Sequence, residues 1–168
     1  MKYILLAAST LDGKIAKHDK HFTDWTSPED KQHLHKIMDT CDIIIVGNNT
    51  YKTAIKPLSK RNCLVLSKSI KKLKQTNNNL VYINPENTNL KKYLTTQKYK
   101  TVCILGGTSI YSLALKNNMV DEIYLTIEPI IFGRGLNLFD INIKKRQFKL
   151  ITSKKLNKLG SILLHYKK

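Results

Sequence analysis

The sequence predicts an α/β domain: a mostly parallel sheet flanked by helices and finished by a C-terminal antiparallel hairpin. Three observations carry that prediction. Apolar runs without polar alternation recur along the chain, segments of helical period separate them, and the chain ends in two strand-like stretches joined by a tight turn. A run that is apolar at every position suits a strand covered on both faces, as helices above and below a parallel sheet provide. Strands alternating with helices and closed by a hairpin complete the class. At 168 residues the chain has the length of one domain, so residues 1–168 read as a single unit.

Each element follows in order. The run Ile4-Leu5-Leu6-Ala7-Ala8 lies close enough to the start to suggest a signal peptide. It is short, however, and the turn residues Asp12-Gly13 follow at once, so it reads as a first strand and turn. Ser27-Pro28-Glu29-Asp30 offers an N-cap, a proline at the first helical position and acids in the first turn. Leu34, Ile37, Met38 and Cys41 continue at helical spacing. Ile43-Ile44-Ile45-Val46 and Leu64-Val65-Leu66 are the next strands, and Asn77-Asn78-Asn79 is a polar loop tip. Helices over residues 88–97 and 108–117 bracket the strand Val102-Cys103-Ile104-Leu105. Residues 147–155 and 161–166 form the closing hairpin.

Composition narrows the classes of function. Hydrophobic residues make up 42% of the chain, and no stretch approaches the roughly 18 to 20 apolar residues of a membrane span. Cys41, Cys63 and Cys103 lie in or beside apolar runs without metal-ligand spacing, which reads as reduced thiols of a cytoplasmic protein. The net charge of +17 admits nucleic acid as a partner, since scattered cations neutralise phosphates without further design. The lysines are dispersed in short pairs, and no zinc-finger, RNA-binding or basic-helix signature accompanies them, so nucleic acid is not an obligatory partner. A basic surface would equally attract anionic substrates and a phosphorylated cofactor. The five histidines show no ligand spacing, and no metal is expected.

In open α/β sheets, ligands bind beyond the carboxyl ends of the parallel strands. Two segments there have one design: Gly47-Asn48-Asn49-Thr50-Tyr51 and Gly106-Gly107-Thr108-Ser109-Ile110-Tyr111 both read as strand, glycine turn, hydroxyl cap and helix. Such turns let a ligand approach the backbone, and free amides at a helix start suit phosphate. Two at one end of a sheet favour a dinucleotide laid across it, although neither is the Rossmann fingerprint. At about 100° per residue, Asp30 shares the inward face of its helix with Leu34, Ile37 and Cys41. It is either a capping-box acid that satisfies the Ser27 amide, or a carboxylate facing an apolar cleft, where desolvation would raise its pKa.

In this order the motifs resemble the dihydrofolate reductase family, and the related reductase domain of riboflavin biosynthesis, over nearly the whole chain. Residues 1–16 resemble the first strand and the turn into the active-site loop. Trp25 precedes Asp30 at the family's spacing. Val46 to Tyr51 is similar to its Gly-Arg-x-Thr turn, Leu64-Val65-Leu66-Ser67-Lys68 to the strand beside the adenosine, Leu105 to Tyr111 to its Gly-Gly-x-x-Ile-Tyr, and Asp121 to Thr126 to the strand that follows. The resemblance implies a dihydrofolate reductase-like fold and an NADPH-dependent reductase with a small-molecule substrate. Gly47, Asn48, Asn49, Thr50, Leu66, Ser67, Lys68, Leu105, Gly106, Gly107, Thr108, Ser109, Ile110 and Tyr111 would hold the cofactor, with Lys68 at the 2′-phosphate. Ala8 and Ile15 would border both nicotinamide and substrate. Asp30, with Thr126 and Trp25, would be the catalytic group, and Leu6, Leu34 and Arg61 would complete the substrate site, Arg61 on the folate carboxylate. Residues 17–23 would exclude bulk water.

Some features depart from that pattern. Asn48 stands where many dihydrofolate reductases carry arginine. The 128–135 segment, Glu-Pro-Ile-Ile-Phe-Gly-Arg-Gly, and the 11–16 segment, Leu-Asp-Gly-Lys-Ile-Ala, are closer to the riboflavin-pathway domain, although Leu105 stands where that branch usually has an acid. The expectation is reduction of 7,8-dihydrofolate to tetrahydrofolate. The alternatives are reduction of a ribosylamino-pyrimidine phosphate and a non-catalytic nucleic-acid or anion-binding role. A monomer and a homodimer both remain open.

Overall fold

The computed structural model of the protein describes residues 1–140 and 142–168. Its elements are, in order, β1 (Lys2–Thr10), β2 (Lys14–Ala16), α1 (Pro28–Met38), β3 (Ile43–Gly47), α2 (Asn48–Thr53), α3 (Ile55–Leu58), β4 (Cys63–Leu66), β5 (Leu73–Asn77) and β6 (Leu80–Ile83). There follow α4 (Leu90–Thr96), β7 (Thr101–Ile104), α5 (Thr108–Lys116), β8 (Glu122–Glu128), β9 (Leu136–Asn137), β10 (Lys149–Lys155) and β11 (Ile162–Lys167). Nine strands form one sheet in the order β10-β11-β8-β1-β7-β3-β4-β6-β5, and β2 pairs with β9 apart from it. From β8 to β6 the neighbours are parallel, while β11 and β5 run antiparallel to them and β10 pairs antiparallel with β11 at the outer edge. The expected class, including the C-terminal hairpin, is the one observed.

The unbroken apolar runs are explained by the two layers of helix. Successive strand residues point to opposite faces. Tyr3, Leu5, Ile43, Ile45, Leu64, Val102 and Ile104 pack with Leu94 of α4 and Ile110 and Ala114 of α5. The alternate residues Ile4, Leu6, Ile44, Val46, Val65 and Cys103 pack with Met38 of α1, Tyr51 of α2 and Leu58 of α3. Fully burying a leucine or isoleucine contributes about 1.5–3 kcal/mol, which favours an apolar residue at each of these positions.

Local details differ from expectation in three places. Helix α1 stops at Met38, with Asp39 as C-cap, so Cys41 lies in the tight turn beyond it. The helix expected over 88–97 is shorter, because the Asn89 side chain accepts the Lys92 amide and starts it late. The residues that cap α2 and α5 are Gly47 and Gly107, neither with a side-chain hydrogen bond, and not the hydroxyl residues that follow them. The hydroxyl of Thr108 instead donates to the Asn137 carbonyl, tying α5 to β9.

Candidate active site

Both glycine turns lie at the carboxyl ends of parallel strands and touch directly, the Gly47 amide donating to the Gly106 carbonyl at 2.9 Å. Gly106 has φ +90°, and a Cβ there would sit 2.7 Å from the Tyr111 ring, so only glycine fits. The buried Tyr111 hydroxyl donates to the Leu6 carbonyl at 2.6 Å, just past the last β1–β7 partner pair, Leu5 and Ile104. Burial raises the Tyr111 pKa, so this donor keeps its proton.

A cleft of about 730 Å³ runs along the two turns. Gly47, Asn48, Asn49, Thr50, Leu66, Ser67, Lys68, Gly107, Thr108, Ser109 and Ile110 line it. Leu136, Asn137, Phe139 and Asp140, for which the sequence carries no local signal, line it as well. The start of α5 reaches this cleft with no side-chain cap on its amides, which suits an anionic ligand. Lys68 reaches it too, ion-paired to Glu86 at 2.7 Å.

A second cavity, of about 360 Å³, adjoins the cleft, and Thr50, Gly107 and Leu136 line both. Leu6, Ala8, Ile15, Trp25, Asp30 and Leu34 all line this cavity. Leu105 and Tyr111, expected at the cofactor, line it as well and not the cleft, while Gly106 lines neither and serves to form the turn. Asp30 is 7% exposed. Burial pushes its carboxyl above the ordinary aspartate range, hydrogen bonds from Thr126 and Thr26 oppose the rise, and the nearby Glu128 adds to it. Thr126 is itself buried behind the carboxylate. The Trp25 indole N–H is buried without an acceptor among the described residues, in the wall of the same cavity. A buried donor left open in a polar-tipped cavity fits a ligand that supplies an acceptor.

Arg61 is placed otherwise than the resemblance implies. Its guanidinium donates to the Asp39 carboxylate, with Nε at 3.0 Å, and to the Pro57 carbonyl, and it does not line the cavity. The side chain that reaches the wall there is His35, whose Nδ1 lies 3.3 Å from the guanidinium. Arginine can only donate, so this contact calls for Nδ1 as the acceptor and leaves Nε2 to face other partners. Lys31 lines the cavity one helical turn before His35. His18, His21 and Phe22, from the segment between β2 and α1, also border the cavity. Sequence spacing carries no signal for Lys31 and His35, because a cation or a histidine on a helix is usually solvated.

The 11–16 and 128–135 segments meet in space. Asp12 accepts the amides of Phe132 at 3.2 Å and Gly133 at 2.8 Å, and the hydrogen bond from the Thr10 hydroxyl, followed by these two, holds its carboxyl below the usual range. Gly135 passes so close to Ala16 that a Cβ would lie 2.3 Å from the Ala16 carbonyl oxygen.

The fold and these paired segments define an α/β domain with two adjoining cavities at the carboxyl ends of its parallel strands. The chain belongs to the RibD C-terminal domain family, whose model matches residues 2–161. It is 26% identical over 173 aligned positions to the uncharacterized protein YwjB of Bacillus subtilis, covering 98% of this chain and 97% of that one. A pyrimidine reductase-like protein from Corynebacterium diphtheriae shares the fold at a TM-score of 0.76 and 19% identity, covering 99% of this chain and 91% of that one. So does a diaminohydroxyphosphoribosylaminopyrimidine deaminase/5-amino-6-(5-phosphoribosylamino)uracil reductase from Thermotoga maritima, with a TM-score of 0.72 and 20% identity. The match covers 99% of this chain and 56% of that protein. No helix among the described residues is long and apolar enough to cross a membrane.

Proposed function

We propose that the protein is an NADPH-dependent reductase of a nitrogen heterocycle with an anionic tail, a ribosylamino-pyrimidine phosphate being its first substrate. The observation that carries the reading is the Asp30–Thr126 pair buried in a cavity that opens onto the glycine-turn cleft. Membership of the RibD C-terminal domain family favours the pyrimidine over dihydrofolate and reverses the order that Asp30, Trp25 and Arg61 suggest from the sequence. Dihydrofolate is the second reading, favoured by the buried carboxylate at the inner end of the cavity.

The 730 Å³ cleft, the uncapped start of α5 and Lys68 fit a phosphorylated dinucleotide. NADPH bound there would supply the hydride that reduces the ribosylamino group to its ribityl form, with the accompanying proton taken from water. Asp30 accepts hydrogen bonds from the donor edge of the substrate ring, and Thr126 fixes the orientation of that carboxylate. Lys31 and the Nε2–H of His35 meet the anionic tail at the outer end. Residues 17–23 cover the cavity, and excluding water strengthens each of these interactions.

Purified protein assayed for NADPH oxidation with each substrate tests the reading. Turnover of the pyrimidine phosphate is expected. Turnover of dihydrofolate alone would select the second reading. If neither turns over and millimolar NADPH gives no rise in stability, where binding at 100 times Kd would add about 2.7 kcal/mol, the protein is a non-catalytic anion binder. Lys68→Ala should weaken NADPH roughly tenfold, one charge-assisted contact discounted for exposure, and leave NADH nearly unchanged. The preference should shrink in high salt, because Lys68 is exposed and already shared with Glu86. Titration of both cofactors at two ionic strengths measures it.

A further inference from the structure

We propose that Glu128 is a positioning residue that keeps the Asp30 carboxylate turned to the cavity by taking over the cap of α1. The residues from Ser27 to Asp30 could form a capping box, in which the serine hydroxyl accepts the amide three residues on and that residue's acid reaches back to the serine amide. Half of the box is present, the Ser27 hydroxyl accepting the Asp30 amide at 3.3 Å. The other half is made by a different carboxylate. The Ser27 amide and hydroxyl each donate to Glu128 Oε1 at 2.8 Å. The second Glu128 oxygen accepts from the Ser161 hydroxyl, itself held by Asn157 Nδ2 at 2.9 Å. With every bond of the cap made, Asp30 is free to meet Thr126 and Thr26 at the cavity instead.

The register of β8 explains why Glu128 stands there. Glu128, Thr126 and Tyr124 alternate along β8, opposite Thr10, Ala8 and Leu6 of β1, and so share one face of the sheet. That face meets α1 at three levels: Ser27 on Glu128, Asp30 on Thr126, and the His33 ring 5.3 Å from that of Tyr124. Three residues of helix rise about 4.5 Å and two of strand about 6.6 Å, so the levels drift by about 2 Å per step, which side chains of different reach take up over this short length. The sequence shows both carboxylates but not which of them caps the helix, because Ser27 and Glu128 are joined only by the fold. Glu128 is 2% exposed, so no water competes for its bonds.

Without Glu128 the Ser27 amide has a ready acceptor in Asp30, and the capping box would close at the expense of the cavity. The effect on catalysis rests on the reductase reading, while the effect on Asp30 does not. Glu128→Gln can still accept from Ser27 and reach Ser161, so it isolates the loss of charge. Glu128→Ala loses both. Carboxyl titration of Asp30 by NMR, in the NADPH-free protein, should show Asp30 falling in the Gln variant and falling further, toward the ordinary aspartate range, in the Ala variant. Lys31 is the other charged neighbour and is common to all three proteins. In the active protein, kcat/KM should drop at least tenfold in Ala and recover to within about threefold of wild type in Gln, with the Kd for NADPH unchanged in both. If Glu128→Ala does not fold, Ser161→Ala removes one anchor and should give a smaller shift of Asp30 in the same direction. Equal Asp30 titration in the Gln and Ala variants, or in Ser161→Ala and wild type where that arm is used, overturns the proposal whether or not any substrate turns over.

Discussion

Asp30→Asn should lower kcat/KM for the heterocyclic substrate by about two to four powers of ten, the usual worth of a positioned acid–base group, with NADPH binding retained. The carboxylate is the buried acid among the residues lining the cavity, and asparagine preserves its shape while presenting a neutral amide to the ring. A second consequence concerns stability. Burial raises the folded pKa of Asp30, so the native state holds its proton over a range of pH in which the unfolded chain has released it. The contribution of Asp30 to stability is therefore largest at or below the ordinary aspartate value of about 3.9, and is lost as pH rises through the raised one. Asparagine carries no charge to desolvate. The variant should melt above wild type at neutral pH, with the advantage shrinking as pH falls toward the ordinary aspartate range. Activity lost with stability gained would mark a group retained for function at a cost to the fold.

Gly106→Ala should destabilise the protein by roughly 1–3 kcal/mol for the left-handed backbone alone, and by more once the contact with Tyr111 is counted. The added Cβ would lie 2.7 Å from both Cζ and Oη of Tyr111, a buried ring whose hydroxyl is fixed on the Leu6 carbonyl. Relief requires the turn to shift, and the turn bonds Gly47 and starts α5. The Kd for NADPH should rise at least tenfold in parallel. Denaturant midpoints and cofactor titration measure the two effects, and a stability loss with unchanged cofactor affinity would separate the turn from the proposed cofactor site.

The sheet was legible wherever burial on two faces forces an apolar residue at every position, as in β1, β3, β4 and β7. It was illegible at β5, whose residues Leu73, Lys74, Gln75, Thr76 and Asn77 are all exposed on an edge strand and carry no burial pattern. The pairing of β2 with β9 was equally hidden, because strands of three and two residues are too short for a period to register. The candidate site divided in the same way. Both glycine turns and Asp30 could be read from local spacing, since each belongs to one short segment. Arg61 could not, because the fate of its charge depends on Asp39, which lies on another element. Leu136 and Asn137 reach the cleft only because Gly135 packs on Ala16, a long-range contact with no local signature. The preference for dihydrofolate rests on Asp30 with Trp25 in register and on Arg61, while the meeting of the Asp12 turn with Phe132 and Gly133 is visible only in three dimensions.

That meeting also fixes the entropy of the segment over the cavity. Ala16 is paired to Leu136 at one end of it and Ser27 is bonded to Glu128 at the other, so a single stretch of chain, 128–136, pins both ends. What remains free between them is about ten residues. Loop-closure entropy grows only logarithmically with length, by about 0.6 kcal/mol per doubling, and here the closure is completed when the domain folds. A ligand entering the cavity has to order only side chains and a short arc of backbone. More of its binding free energy is then left to align the reacting atoms.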